Sequence, residues 1–137
     1  MILGVGIDLV NVSRLSSWTL FKQEQLLKVF SESELADCRK PGGFDTKRLA
    51  SRFAAKEAFY KALSVALVKL GKTEQSFSLL FACGCVQTKM SVFDVPVLVV
   101  KWAEFEKKIC SKLPAMSADI SLSHEGDIAA AVVVLSN

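Results

Sequence analysis

Asp8 is a carboxylate in the middle of an apolar, strand-like run from Ile2 to Val10. Burying an acid is costly unless it is paired, hydrogen-bonded or bound to a metal. The alternative is an acid at a strand end that makes a turn or a salt bridge. A second signal lies in Arg52-Phe53-Ala54-Ala55-Lys56-Glu57-Ala58-Phe59-Tyr60-Lys61. Glu57 and Lys61 are four apart, so on a helix they are neighbours in the favoured order of acid before base. Arg48, Arg52 and Lys56 form a separate ladder at the same spacing, and such a ladder is ordinarily a solvated face of weak ion pairs. Glu57 and Lys61 stand apart because their neighbours are Ala, Phe and Tyr. The third signal is His124, the only histidine, in Ser121-Leu122-Ser123-His124-Glu125. A lone histidine is more often structural than catalytic. Ser123 does not make it a nucleophile–base pair, since adjacent strand residues point to opposite faces.

These residue types suit one chemistry. Two hard carboxylates, Asp8 and Glu57, fit Mg²⁺, which takes few protein oxygens and completes its shell with water and substrate phosphates. Lys61, Arg52 and His124 could then hold phosphate charge. A cation clamping a diphosphate, with basic groups on the departing phosphate, is an arrangement for phosphoryl-type transfer. The chain carries no Gly-x-Ser-x-Gly elbow, no Walker-type phosphate loop and no dinucleotide glycine fingerprint.

The elements that must position these groups can be read from periodicity. In the strand Ile2 to Val10, Leu3, Val5, Ile7 and Leu9 share one face, and Gly4, Gly6, Asp8 and Val10 the other. Two glycines beside an acid predict close approach by another element there. Ser13 or Ser16 is expected to cap a helix through about Val29, and Ser31 with Glu34 forms a capping-box pair for a short helix ending near Cys38. Arg39 to Gly43 reads as a mobile, basic loop. Asp45 or Thr46 opens the longest helix, to about Leu70 with Gly71 as its stop. Leu49, Phe53, Tyr60, Leu63 and Leu67 mark one apolar stripe on it; Ala50, Ala54, Ala58, Ala62 and Ala66 mark another. A helix apolar on two sides is central and buried. Strand-like runs follow at Phe77 to Cys85 and Val95 to Val100, then a helix around Ala103 to Leu113. Strands Ala118 to Ser123 and Ile128 to Leu135 flank the turn His124 to Asp127. The expected class is α+β, an antiparallel sheet packed on a long central helix.

Composition narrows the context. At 137 residues the chain is expected to be one domain, residues 1–137. A net charge of +3 argues against a strongly basic nucleic-acid binder. No uncharged apolar stretch of about 18 residues occurs, so no membrane span is expected. The 51% apolar content implies a well-filled core or apolar surface covered in an oligomer. The start, Met1-Ile2-Leu3, has no basic leader and meets an acid at once, which reads as a cytoplasmic chain with reduced thiols. Cys83-Gly84-Cys85 is too closely spaced for a usual zinc knuckle.

Four segments in order resemble the holo-[acyl-carrier-protein] synthases, the short bacterial 4′-phosphopantetheinyl transferases. They are Gly4 to Val10 with Arg14, Phe30 to Glu34, Arg52 to Ala58, and Ser121 to Glu125. The resemblance implies transfer of phosphopantetheine from coenzyme A to a serine of apo acyl-carrier protein, in fatty acid biosynthesis. It also implies that Asp8 and Glu57 hold Mg²⁺ and that Lys61 steadies or protonates the leaving phosphate. Arg52, Lys61 and His124 would contact coenzyme A, and Glu57 is a candidate base for the carrier serine. A homotrimer with sites between subunits is implied, as is docking of an acidic carrier on Arg14.

Two departures qualify this. The segment after Arg14 carries few cations, so docking would lean on Trp18, Leu20 and Phe21. Relatives often have a Gly-Thr-Gly turn after the catalytic lysine, where this chain has Ser64-Val65-Ala66, suggesting that the helix continues. A non-catalytic module binding coenzyme A or a nucleotide is the alternative; it would gain weight if Asp8, Glu57 or Lys61 were missing, and all three are present.

Overall fold

The computed structural model describes residues 1–137 and is built on one three-stranded antiparallel sheet seated on one long helix. Strand β1 (Ile2–Asn11) pairs with β7 (Ile128–Ser136), and β7 with β6 (Ser117–Glu125), giving the order β1-β7-β6. A register shift between Ile2 and Gly4 lets Leu3 turn inward with Gly4. Beyond it the alternation is strict: Gly6, Asp8 and Val10 face the core, while Val5, Ile7 and Leu9 face outward. On β7 the inward residues are Ala129, Ala131, Val133 and Leu135, and Asp8 lies opposite Ala131.

Helix α3 (Thr46–Lys69) crosses this inner face. Asp45 caps it, accepting hydrogen bonds from the Lys47 and Arg48 amides at 3.0 and 3.2 Å, and Gly71 follows its end at φ +67°. Both expected stripes are present, and Ala50, Ala54, Ala58, Ala62 and Ala66 are all inaccessible to solvent. The glycines of β1 explain the close seating. A Cβ on Gly4 would lie 2.0 Å from the Ala62 carbonyl oxygen, and one on Gly6 would lie 2.0 Å from that of Ala58. Only a strand lacking side chains there admits an alanine-faced helix so near.

The remaining elements cover the other sides of α3. Two 3₁₀ turns, Val12–Leu15 and Ser17–Leu20, lead to α1 (Gln23–Leu26) and α2 (Glu32–Cys38). Then come the small hairpin β2 (Arg39–Lys40) and β3 (Gly43–Phe44), α4 (Leu79–Cys85), the hairpin β4 (Val86–Met90) and β5 (Pro96–Val100), and α5 (Trp102–Lys108). No helix is long and apolar enough to cross a membrane.

Four segments differ from the sequence-based expectation. Instead of one helix from Ser16 to Val29, the chain is extended at Phe21 and Lys22 (ψ 150° and 149°). Upstream, Thr19 Oγ1 donates to the Ser16 carbonyl at 2.7 Å, the kind of local bond that competes with a regular helix. Phe77 to Cys85 is not a strand: Ser78 caps α4 by accepting from the Phe81 amide at 3.1 Å. A short apolar run does not distinguish the two states by periodicity. The expected loop Arg39 to Gly43 forms the β2–β3 hairpin, with Arg39 lying 5.2 Å over the Phe44 ring. The last helix is also shorter than expected, ending before Cys110 at φ 54°.

Candidate active site

The inward face of β1 delivers Asp8 to one flank of α3, where Glu57 and Lys61 stand one turn apart. Lys61 Nζ donates to Asp8 Oδ1 at 2.8 Å and to the Ile7 carbonyl at 3.0 Å. Asp8 is buried, while the Lys61 side chain is 50% exposed. Asp8 Oδ2 is buried with no hydrogen-bond partner. Burial first, and then the neighbouring Asp8 carboxylate, push Glu57 above the usual carboxylate range; Arg14 and Lys61 pull it back. The arrangement is therefore two carboxylates crowded together, with an unused oxygen and a movable ammonium beside them.

That is a donor set a small hard cation would satisfy. It is a pair and no more, since no cluster of three or more His, Cys, Asp or Glu side chains gathers anywhere in the chain. Mg²⁺ suits such a pair because it keeps waters and substrate oxygens in its shell.

Arg52 and His124 are brought together elsewhere. Both line an open cleft of about 830 Å³, with Lys47, Arg48, Lys89 and Asp37 among its walls. Arg52 is buried, its Nη2 lies 3.7 Å from Asp37 Oδ2, and its Nε is buried without a partner. His124 is exposed and lies within strand β6 opposite Ala129, two positions before the turn begins at Gly126, so the turn is shorter than the expected His124 to Asp127. Asp8 and Lys61 line a separate hollow with Ile7 and Leu9. One chain thus carries two groups of site residues that do not share a cavity.

Arg14 belongs with the first group. Its guanidinium lies 5.7 Å over the Phe53 ring, and its charge reaches Glu57. Trp18 is partly buried and packs edge-on against Phe53, with centroids 5.0 Å apart, and stacks on Phe21 at 6.0 Å. The large apolar side chains open to solvent in this segment are Leu20, 86% exposed, and Phe21. Helix α3 continues through Ser64, whose hydroxyl donates to the Tyr60 carbonyl at 2.8 Å, so the backbone amides there are committed to the helix.

Sequence reasoning missed one pair outright. Lys56, placed on a solvated ladder with Arg48 and Arg52, is 1% exposed, and its Nζ lies 2.9 Å from Oε1 of a fully buried Glu34. Ser31 caps α2 through the Glu34 amide at 3.1 Å, and the Glu34 side chain is fully buried and faces Lys56. The one available signal was that Lys56 adjoins Glu57 in a stretch otherwise filled by Ala and Phe.

Comparison with known proteins places these features in a family. Residues 4–89 match the 4′-phosphopantetheinyl transferase superfamily. The chain is 33% identical over 138 residues to the holo-[acyl-carrier-protein] synthase of Ehrlichia ruminantium (strain Welgevonden), covering 98% of this chain and 97% of that protein. It is 35% identical over 140 residues to that of Trichlorobacter lovleyi, covering 98% of each. Its fold superposes on the Chronobacterium ammoniagenes ACPS–CoA complex with a TM-score of 0.76 and 29% identity, over 97% of this chain and 96% of that one. The Helicobacter pylori holo-[acyl-carrier-protein] synthase in complex with coenzyme A gives 0.67 at 29% identity, over 96% and 99%.

Proposed function

Since this chain belongs to the 4′-phosphopantetheinyl transferase superfamily, with the holo-[acyl-carrier-protein] synthases, we propose that it transfers 4′-phosphopantetheine from coenzyme A to a serine of apo acyl-carrier protein. The serine oxygen bonds to the phosphorus that bears pantetheine, the bridging P–O bond of the diphosphate breaks, and adenosine 3′,5′-bisphosphate leaves. The observation that carries the site assignment is the orphaned Asp8 Oδ2 beside a charge-crowded Glu57, with Lys61 2.8 Å away on the other oxygen.

Asp8 and Glu57 would hold Mg²⁺, which when bound neutralises diphosphate charge. Glu57 stands as the candidate base for the serine proton. Lys61, on a half-exposed stem, can turn from Asp8 to the departing phosphate oxygen and steady or protonate it. Arg52, with its orphaned Nε, and His124 would hold the other coenzyme A phosphates.

The whole chain, residues 1–137, acts as a single domain in this reading. The separation of the two residue groups supports a homotrimer in which one subunit's carboxylates work with a neighbour's cationic cleft. The outward face of the sheet supports it too, because Val5, Ile7 and Leu9 there are exposed. An acidic carrier would dock on Arg14, Leu20 and Phe21, with Trp18 fixing the angle of Phe21 from beneath. The setting proposed is cytoplasmic fatty acid biosynthesis.

Intact-mass measurement of apo acyl-carrier protein incubated with this protein, coenzyme A and Mg²⁺ tests the reading. One phosphopantetheine per carrier is expected, lost on EDTA treatment and in Glu57→Gln. An unmodified carrier in the presence of folded enzyme would overturn it.

A further inference from the structure

Helix α3 rests on β1 through glycine and alanine, a contact with almost no relief. Gly4 and Gly6 offer bare backbone, and Ala58, Ala62 and Ala66 offer one methyl each. Such a surface brings the two elements close but provides few knobs to fix the helix's rotation or its position along its axis. The placement of Glu57 against Asp8 depends on both. The large buried side chains of α3, Leu49, Phe53, Phe59 and Leu63, supply relief on its other sides, and directional contacts there can fix the register further.

Those contacts come from α2. Glu34 and Asp37, three apart, share a face of α2; Lys56 and Arg52, four apart, share a face of α3. The two faces meet in two rungs. In the inner rung Lys56 Nζ lies 2.9 Å from Glu34 Oε1, with both side chains out of solvent. The same ammonium donates to the Cys83 carbonyl at 2.9 Å, in the last turn of α4, and to the Val86 carbonyl at the start of β4. In the outer rung Arg52 lies 3.7 Å from Asp37 at the wall of the cationic cleft. Both carboxylate oxygens of Glu34 lack a well-directed hydrogen bond. Ion pairs buried this way often contribute less stability than an apolar pair of the same volume.

We propose that Glu34 and Lys56 are positioning residues for the transfer reaction: together they lock α3 against α2 and α4 so that Glu57, the next residue, faces Asp8. This rests on the assignment of Asp8 and Glu57 as the cation-holding pair. The pair's work is placement, and its removal moves catalysis and cation affinity more than it moves folding.

The test compares Glu34→Leu/Lys56→Met and Glu34→Asp with the unaltered protein. Four quantities are measured: the cooperative unfolding transition, kcat, KM for coenzyme A, and Mn²⁺ affinity by electron paramagnetic resonance without substrates. A folded variant is expected to lose about 10- to 100-fold in kcat, the scale of an ångström-level misplacement. Weakened Mn²⁺ binding and a nearly unchanged KM should accompany that loss. Wild-type kcat and Mn²⁺ affinity in either folded variant overturns the proposal, as does failure of both to fold, because the pair then serves the fold alone. Glu57→Gln, measured alongside, separates the two readings. If it keeps both Mn²⁺ binding and turnover, the carboxylate-pair assignment is what fails.

Discussion

The two flanks of α3 use the same residue types to opposite ends. On one flank Lys61 meets Asp8 at 2.8 Å with half its side chain in solvent. On the other, Lys56 meets Glu34 at 2.9 Å with none of it exposed to any useful degree. The ion-pair distances are nearly equal, yet one lysine has half its side chain in solvent and the other is sealed in the core. Lys56 also spends its donors on two fixed carbonyls, while Lys61 spends one on Ile7. Geometry at the charged atoms therefore says little about role; what separates the two flanks is the exposure of the lysine stem.

The sharpest way to break this contrast is to remove each ammonium in turn. Lys56→Met should cost about 3–5 kcal/mol of stability, because it strands a buried carboxylate. Lys61→Met should cost less than about 1 kcal/mol in a denaturant titration, because its pair is half in water. Equal losses would erase the distinction between the flanks. Next in size is Gly6→Ala, which drives a methyl onto the Ala58 carbonyl between the two flanks. A loss of about 1–3 kcal/mol is expected from such overpacking, with Mn²⁺ affinity falling in parallel if the strand is pushed from the helix.

The smallest effect concerns the thiols on the buried side. Burial pushes Cys38 and Cys83 up to about 11. In the unfolded chain they ionise near 9, so the folded state binds more protons between these values and stability falls as pH rises through that window. At pH 10 each contributes a loss of about 1 kcal/mol. Cys38→Ala and Cys83→Ala should flatten the alkaline slope of the unfolding midpoint.

Much of the working flank was legible in sequence because its signals are local. Glu57 and Lys61 share a helix face, which periodicity pairs, and Asp8 shares a strand face with two glycines; that the two faces meet came from the chemistry of the residues and the family resemblance, since no spacing rule joins positions 53 apart. The opposite flank was not legible. The partners of Lys56 are a carboxylate 22 positions earlier and two main-chain carbonyls at 83 and 86, which no spacing rule connects. The run that supplies those carbonyls was itself misread as a strand, because seven apolar residues carry no decisive period. Likewise Trp18, exposed by sequence logic, turns in to meet Phe53 through a segment whose serines and threonine divert the backbone from a regular helix.

The pairing of β1 has a bearing on how the molecule is assembled in time. The strand that carries Asp8 bonds along its length to β7 alone, more than a hundred residues later, and Val12 continues the contact with Asp127 at 2.7 Å. A growing chain therefore exposes the apolar strand Ile2–Asn11 early and has no sheet partner for it until Ile128–Ser136 has been synthesised. Closing so long a loop is slow, and unpaired strand edges invite wrong partners meanwhile. Truncation within β7 would for the same reason disable Asp8, whose opposite neighbour on that strand is Ala131.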